Sequence, residues 1–98
     1  MAWSVYILQC AGDRLYTGIS TDVARRFKQH TQKSGAKFTQ AHPPIAILGE
    51  IECASRSEAL KFEYQIKQLA PMAKRALALS WPPTHLAESE ADNQHMHE

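Results

Sequence analysis

The sequence predicts a small mixed α/β domain of the α+β class, a three-stranded and mainly antiparallel sheet flanked by helices in the order β-β-α-β-α-α. Three observations carry that expectation. Two β-rich runs near the N-terminus are separated by turn residues, a later apolar run is bounded by prolines on one side, and a capping box opens a helix on the other. With 98 residues, the chain has room for one domain with a modest core and one site.

Residues 3 to 10, with Trp3, Val5, Tyr6, Ile7 and Leu8, are aromatic, β-branched or apolar and read as a strand. Ala11-Gly12-Asp13-Arg14 supplies a turn, and Leu15-Tyr16-Thr17-Gly18-Ile19 completes a hairpin. Ser20 or Thr21 is then placed to cap a helix, with Asp22 in its first turn, where a negative charge suits the helix dipole. That helix runs to about Lys33 and is ended by Ser34-Gly35. A polar loop closed by Pro43-Pro44 leads to a third strand, Ile45 to Cys53, which alternates only in part. Ser55-Arg56-Ser57-Glu58 is a capping box for a helix from Arg56 to about Leu69. Pro71 permits a last short helix, Met72 to Ser80, which Pro82-Pro83 terminates.

The net charge of +1 hides a division along the chain. Residues 1 to 84 hold all eleven Lys and Arg and six acids, a net charge of +5, while Glu88, Glu90, Asp92 and Glu98 lie beyond them. The expected organisation is a basic domain over residues 1–84 and a disordered acidic tail over 85–98. His85, His95 and His97 read as solvated tail side chains ahead of metal ligands. A basic domain suggests an anionic partner. No apolar run is long enough to cross a membrane, and the N-terminus lacks the pattern of a signal peptide, so a cytoplasmic location is expected. Cys10 and Cys53 have neither CxxC spacing nor a neighbouring His pair, which favours reduced structural roles.

Placing the polar residues on the helices singles out a few side chains. On the first helix Val23 and Phe27 define the inward face, with Arg26 and His30, at i and i+4, together on its border. Two readings are open for them: site residues, or edge residues of a solvated helix. On the second long helix Ala59, Phe62, Ile66, Leu69 and Ala70 form an apolar arc, and Glu63 falls inside it. An inward carboxylate must be paired, protonated or bound to a cation. It suits either an ion pair with an Arg of the first helix or a magnesium site, since that ion keeps several waters and takes few carboxylates. Tyr6 and Tyr16 sit on neighbouring strands of the hairpin, where cross-strand packing and chemistry are both open to them. Gly18, directly after, lets backbone approach a phosphate or a helix closely.

Ser4-Val5-Tyr6, Tyr16-Thr17-Gly18, Arg26 with His30, and Glu63 together resemble, in order and spacing, the GIY-YIG nuclease superfamily. The resemblance covers roughly residues 2 to 80 and is closest to the small stand-alone bacterial YhbQ-like members, shared also in Gly35-Ala36-Lys37-Phe38-Thr39 and in Glu58 to Lys67. It implies a GIY-YIG-like fold and a metal-dependent nuclease acting on nucleic acid, DNA ahead of RNA, in DNA repair or processing. Glu63 would hold one divalent ion, Mg²⁺ or Mn²⁺, and Arg26 would neutralise the phosphoryl oxygens. Tyr6 or Tyr16 would orient or deprotonate the attacking water, and His30 would accept a hydrogen bond or a proton from a tyrosine. Arg25 and Lys37 are supplementary phosphate contacts, with Gly18 beside them. Expected partners are nucleic acid, no membrane, and either a monomer or a weak homodimer.

The departures are Ser4 for the first Gly of the signature, Thr17 for its second Ile, and Phe38 for a tyrosine common in the small members. A late Asn of larger nucleases has no counterpart, since Asn93 falls in the tail. No additional DNA-binding domain occurs in these residues, so sequence specificity is expected to be low. A nucleic-acid-binding module with weak or no catalysis is the alternative, and a partner-recruiting domain is a third.

Overall fold

The computed structural model describes residues 2–32 and 36–82. The expected end of the first helix at Ser34-Gly35, and the tail over 85–98, lie outside the described residues. Strands β1 (Trp3–Cys10), β2 (Arg14–Ser20) and β3 (Pro44–Cys53) form one antiparallel sheet in the order β2-β1-β3. Helices α1 (Val23–Thr31) and α2 (Lys37–Ala41) precede β3, and α3 (Arg56–Lys67) and α4 (Pro71–Ser80) follow it. The expected element order therefore holds, with the five-residue α2 added where the sequence suggested a polar loop.

The central strand explains the two-sided architecture. Val5, Tyr6, Ile7 and Leu8 are all buried, as a strand covered on both faces requires. Alternation sends Val5 and Ile7 into a cluster with Ala59 and Ile66 of α3 and Ala78 of α4. Tyr6, Leu8 and Cys10 join Val23 on the other face, packed against Tyr16, Phe27 and Phe38. Cys10 and Cys53 are free thiols within these clusters.

The hairpin turns through Gly12 and Asp13, both with positive φ, at 73° and 58°. Asp tolerates that region better than most residues, and its carboxylate is held by Arg75 of α4 at 3.0 Å. The tip of the hairpin is thus fastened to the last helix. In β3, two register shifts against β1 account for the incomplete alternation of its sequence, and Ile45 is left exposed. Pro44 opens the strand at a position where an edge tolerates its missing N–H.

The helix starts follow local chemistry. Asp22 itself caps α1, accepting from the Arg25 N–H at 3.1 Å, while Ser20 accepts from the Asp22 N–H. The cap is therefore one or two residues later than the sequence suggested. Ser55 caps α3 by accepting from the Glu58 N–H, and Glu58 reaches back to the Ala54 N–H. Helix α3 stops at Lys67, so Leu69, assigned to its apolar arc from periodicity, is exposed instead, as is Ala70. Ala70 precedes Pro71, which disfavours helical backbone there.

Thr17 is 4% exposed, and its hydroxyl has no hydrogen-bond partner among the described residues. Removing an unsatisfied buried hydroxyl while keeping the shape should stabilise. Thr17→Val is expected to raise the unfolding free energy by about 1 kcal/mol. Denaturant titration checks this, and a lower midpoint would show that the hydroxyl is bonded in solution.

Candidate active site

The site begins at the register of the hairpin. Tyr6 lies opposite Gly18, and Leu8 lies opposite Tyr16, so the two tyrosines are diagonal neighbours with ring centroids 6.3 Å apart. The Tyr6 phenol occupies the space above Gly18: a Cβ there would lie 2.6 Å from its hydroxyl oxygen. A close approach at Gly18 is thus made by the Tyr6 ring.

Tyr6 is 1% exposed, and its Oη lies 3.1 Å from Nε2 of His30, which is fully buried in the last turn of α1. The other ring nitrogen, Nδ1, lies 2.6 Å from Oγ1 of Thr39, and the Thr39 hydroxyl donates to the Ala36 carbonyl at 2.9 Å. Sequence placed His30 on the border of α1. The packing of α2 beside it puts it inside. Tyr16, half-buried, packs its ring at a tilt against His30 and Phe38, with centroids 5.0 Å and 5.9 Å away.

Burial holds these groups neutral. It pushes the Tyr6 phenol well above the ordinary value of 10.0, reinforced by nearby Tyr16 and opposed by the Arg26 guanidinium. Burial raises Tyr16 as well, with Arg26 opposing it and Glu63 adding to it. For His30, burial and then Arg26 lower the pKa from 6.5. Arg26 and Glu63, from α1 and α3, therefore both act on the two phenols, with opposite signs. The five residues singled out in the sequence come together from β1, β2, α1 and α3.

Each charged group has a restrained but open geometry. Arg26 is half-buried and donates from Nη1 to Gln29 Oε1 at 2.9 Å. The Glu63 side chain is 18% exposed and meets Lys67, one turn along its own helix, at 3.5 Å. Among the described residues it forms no ion pair with an Arg of α1, the pairing the sequence left open. Arg25 is exposed and borders a shallow depression with Ser20, Thr21, Asp22, Arg26 and Gln29. Lys37, at the start of α2, is also exposed.

Sequence reasoning missed Thr39 and Lys67 as neighbours of the site. The only sequence signal for Thr39 was its place in the segment shared with the small nucleases. Glu63 and Lys67 stand at i and i+4 in the favourable orientation, which was readable in principle.

The lowered pKa of His30 has a consequence for stability. The unfolded chain binds a proton at His30 more readily, so this contribution is fully present above about pH 6.5 and falls as the pH drops below it. The melting temperature is expected to fall as the pH is lowered below about 6.5, and His30→Gln should flatten that slope. An identical slope in the variant would assign the effect to other groups.

A family model described as the GIY-YIG catalytic domain matches residues 2–75. A UPF0213 protein of Cupriavidus necator is 49% identical over 86 residues, spanning 88% of this chain and 94% of the relative. A UPF0213 protein of Desulfotalea psychrophila is 49% identical over 77 residues, 78% of this chain and 70% of the relative. The solution NMR structure of a UPF0213 protein from Bacillus halodurans is 39% identical, spans 79% of this chain and 82% of its own, and has a TM-score of 0.49.

Proposed function

The chain belongs to the GIY-YIG nuclease superfamily, and from that premise we propose that it is a metal-dependent nuclease. It hydrolyses phosphodiester bonds of nucleic acid, DNA ahead of RNA, with low sequence specificity, in DNA repair or processing. The observation that supports this most is the buried Tyr6–His30 hydrogen bond flanked by Arg26 and Glu63. A core without chemistry to perform gains little from a phenol and an imidazole both desolvated and both beside charges.

Hydrolysis needs a proton taken from the attacking water, charge stabilised on the phosphoryl oxygens, and help for the leaving oxygen. Burial keeps Tyr6 a phenol at neutral pH, so it acts as a base only by releasing its own proton as it takes one. His30 Nε2 stands at hydrogen-bond distance to receive it. Tyr16 orients the water, and the planar fork of Arg26 meets the nonbridging oxygens. Arg25 and Lys37 add phosphate contacts from exposed positions, and Gly18 serves by making room for the Tyr6 ring.

Nucleases of the superfamily generally use divalent metal ions. The donor set here fits an ion held largely by water and substrate. Glu63 supplies one hard carboxylate, and among the described residues no three His, Cys, Asp or Glu converge. That chemistry suits Mg²⁺ or Mn²⁺ better than a protein-enclosed zinc. Bound by Glu63, the ion supplies Lewis-acid polarisation of the phosphate and charge relief for the leaving oxygen.

The test is cleavage of labelled single-stranded, duplex and branched DNA, and of RNA, by the pure full chain with Mg²⁺, Mn²⁺ or EDTA. Cleavage with metal and none in EDTA is the expected result. Salt-sensitive binding without cleavage under any metal would replace the nuclease with a binding module.

A further inference from the structure

We propose that Thr39 is a positioning residue whose hydroxyl fixes the tautomer of His30, and through it the direction of the Tyr6–His30 hydrogen bond. The inference rests on the nuclease reading for its use, and on the geometry for its existence.

A threonine hydroxyl has one proton to give. Thr39 gives it to the Ala36 carbonyl at 2.9 Å, so toward His30 it presents only lone pairs. At 2.6 Å, a bare Nδ1 would set lone pair against lone pair, and Nδ1 must therefore carry the imidazole proton. A neutral imidazole has a single N–H, which leaves Nε2 bare. At 3.1 Å from Nε2, the Tyr6 hydroxyl is then the donor. The opposite tautomer requires the Thr39 hydroxyl to turn away from Ala36, and turns the Tyr6 oxygen into an acceptor from Nε2–H. In that arrangement Tyr6 has nowhere to send its proton.

The direction decides the chemistry. With Nε2 bare, Tyr6 Oη takes a proton from the attacking water while its own proton passes to Nε2. The new hydroxide oxygen bonds to phosphorus, and the bond from phosphorus to the leaving oxygen breaks with its electron pair. The leaving oxygen is protonated from bulk water, and the His30 imidazolium returns its extra proton to solvent. Throughout, Thr39 accepts from Nδ1–H, which is present in both the neutral and the charged ring. Thr39 itself touches neither substrate nor water. Three buried side chains on β1, α1 and α2 thus form one relay, and α2, too short to be stable alone, has a reason to be held there.

The test uses the full chain labelled with ¹⁵N, as wild type, Thr39→Val and Thr39→Ser, with His30→Gln to assign the ring signals. Long-range ¹H–¹⁵N spectra at neutral pH read which ring nitrogen is protonated, and cleavage with Mg²⁺ gives kcat and KM. The expected result is Nδ1–H in wild type and Thr39→Ser, and a shift toward Nε2–H in Thr39→Val. In that variant kcat should fall about 10- to 100-fold while KM stays within about twofold, by analogy with other buried residues that orient a functional histidine. If Thr39→Val does not fold, Thr39→Ala removes the same hydroxyl and carries the same expectations. A wild-type His30 protonated on Nε2 overturns the proposal without any variant, as does a folded Thr39→Val that keeps Nδ1–H or cuts at the wild-type kcat. A wild-type chain that cuts nothing while its tautomer still follows Thr39 sinks the nuclease reading and supports the assignment of Thr39.

Discussion

Glu63→Gln is expected to lower metal-dependent cleavage by about 10³-fold or more and to leave the fold standing. The two halves of that result have separate causes. The Glu63–Lys67 pair spans 3.5 Å, and Lys67 is half exposed, a geometry of small worth to stability. Glutamine keeps the size of the side chain and removes a charge that is largely withdrawn from water. A change of less than about 1 kcal/mol is expected from the loss of such a pair. The amide is a poor replacement for an anionic oxygen at a divalent ion, whose Lewis-acid contribution is several kcal/mol. Single-turnover cleavage across a Mg²⁺ titration, with melting curves on the same samples, separates the two. Cleavage at the wild-type rate would mean that Glu63 holds no ion, and a joint collapse of activity and melting temperature would make its role structural.

The parts of the fold that were legible in the sequence are those governed by local chemistry. The hairpin, the capping box at Ser55 and the proline that opens α4 each state their structure within a few residues. Tertiary packing hid the rest. Helix α2 has five residues and no side-chain cap, and Ala36 to His42 reads as polar loop. Its Thr39 and Phe38 hold it in place by packing against His30 and Tyr16, neither of which is near in sequence. The depth of His30 was lost for the same reason, since a helical wheel built on Val23 and Phe27 cannot know that a second helix covers its border. The diagonal placement of Tyr6 and Tyr16 depends on a register that turn length alone did not fix. The inward carboxylate was the one anomaly visible from spacing, and its neighbour proved to be Lys67 from its own helix. Individually each of the five residues had an ordinary structural explanation, and only the family resemblance joined them. In the fold Arg26 and Glu63 both lie near the same two phenols.

Gly18→Ala should damage stability and activity together, and by a route that glycine's backbone freedom does not explain. Gly12 is the described glycine with positive φ, so the backbone at Gly18 accepts an ordinary residue. On backbone grounds alone, alanine would stabilise by restricting the unfolded chain, by about 0.4–1 kcal/mol. The added methyl, however, would lie 2.6 Å from Oη and 2.7 Å from Cζ of Tyr6, and 3.1 Å from Cε2 of Tyr16. Tyr6 is enclosed on the same face by Leu8, Cys10 and Val23, and its ring has little room to retreat. It must tilt, and the tilt breaks the 3.1 Å bond to His30. Overpacking of this kind costs about 1–3 kcal/mol. At roughly 4–8 °C per kcal/mol for a domain of this size, the melting temperature should fall by at least several degrees. Cleavage should fall further, by about 10²- to 10⁴-fold, the usual contribution of a positioned general base. The cause is isolated by repeating the substitution in Tyr6→Phe. Without the hydroxyl the tightest contact disappears, so Gly18→Ala should cost less stability there than in the wild-type chain. Equal costs in the two backgrounds would place the strain elsewhere, and a Gly18→Ala protein as stable and active as wild type would show that the Tyr6 ring does not occupy the space above Gly18.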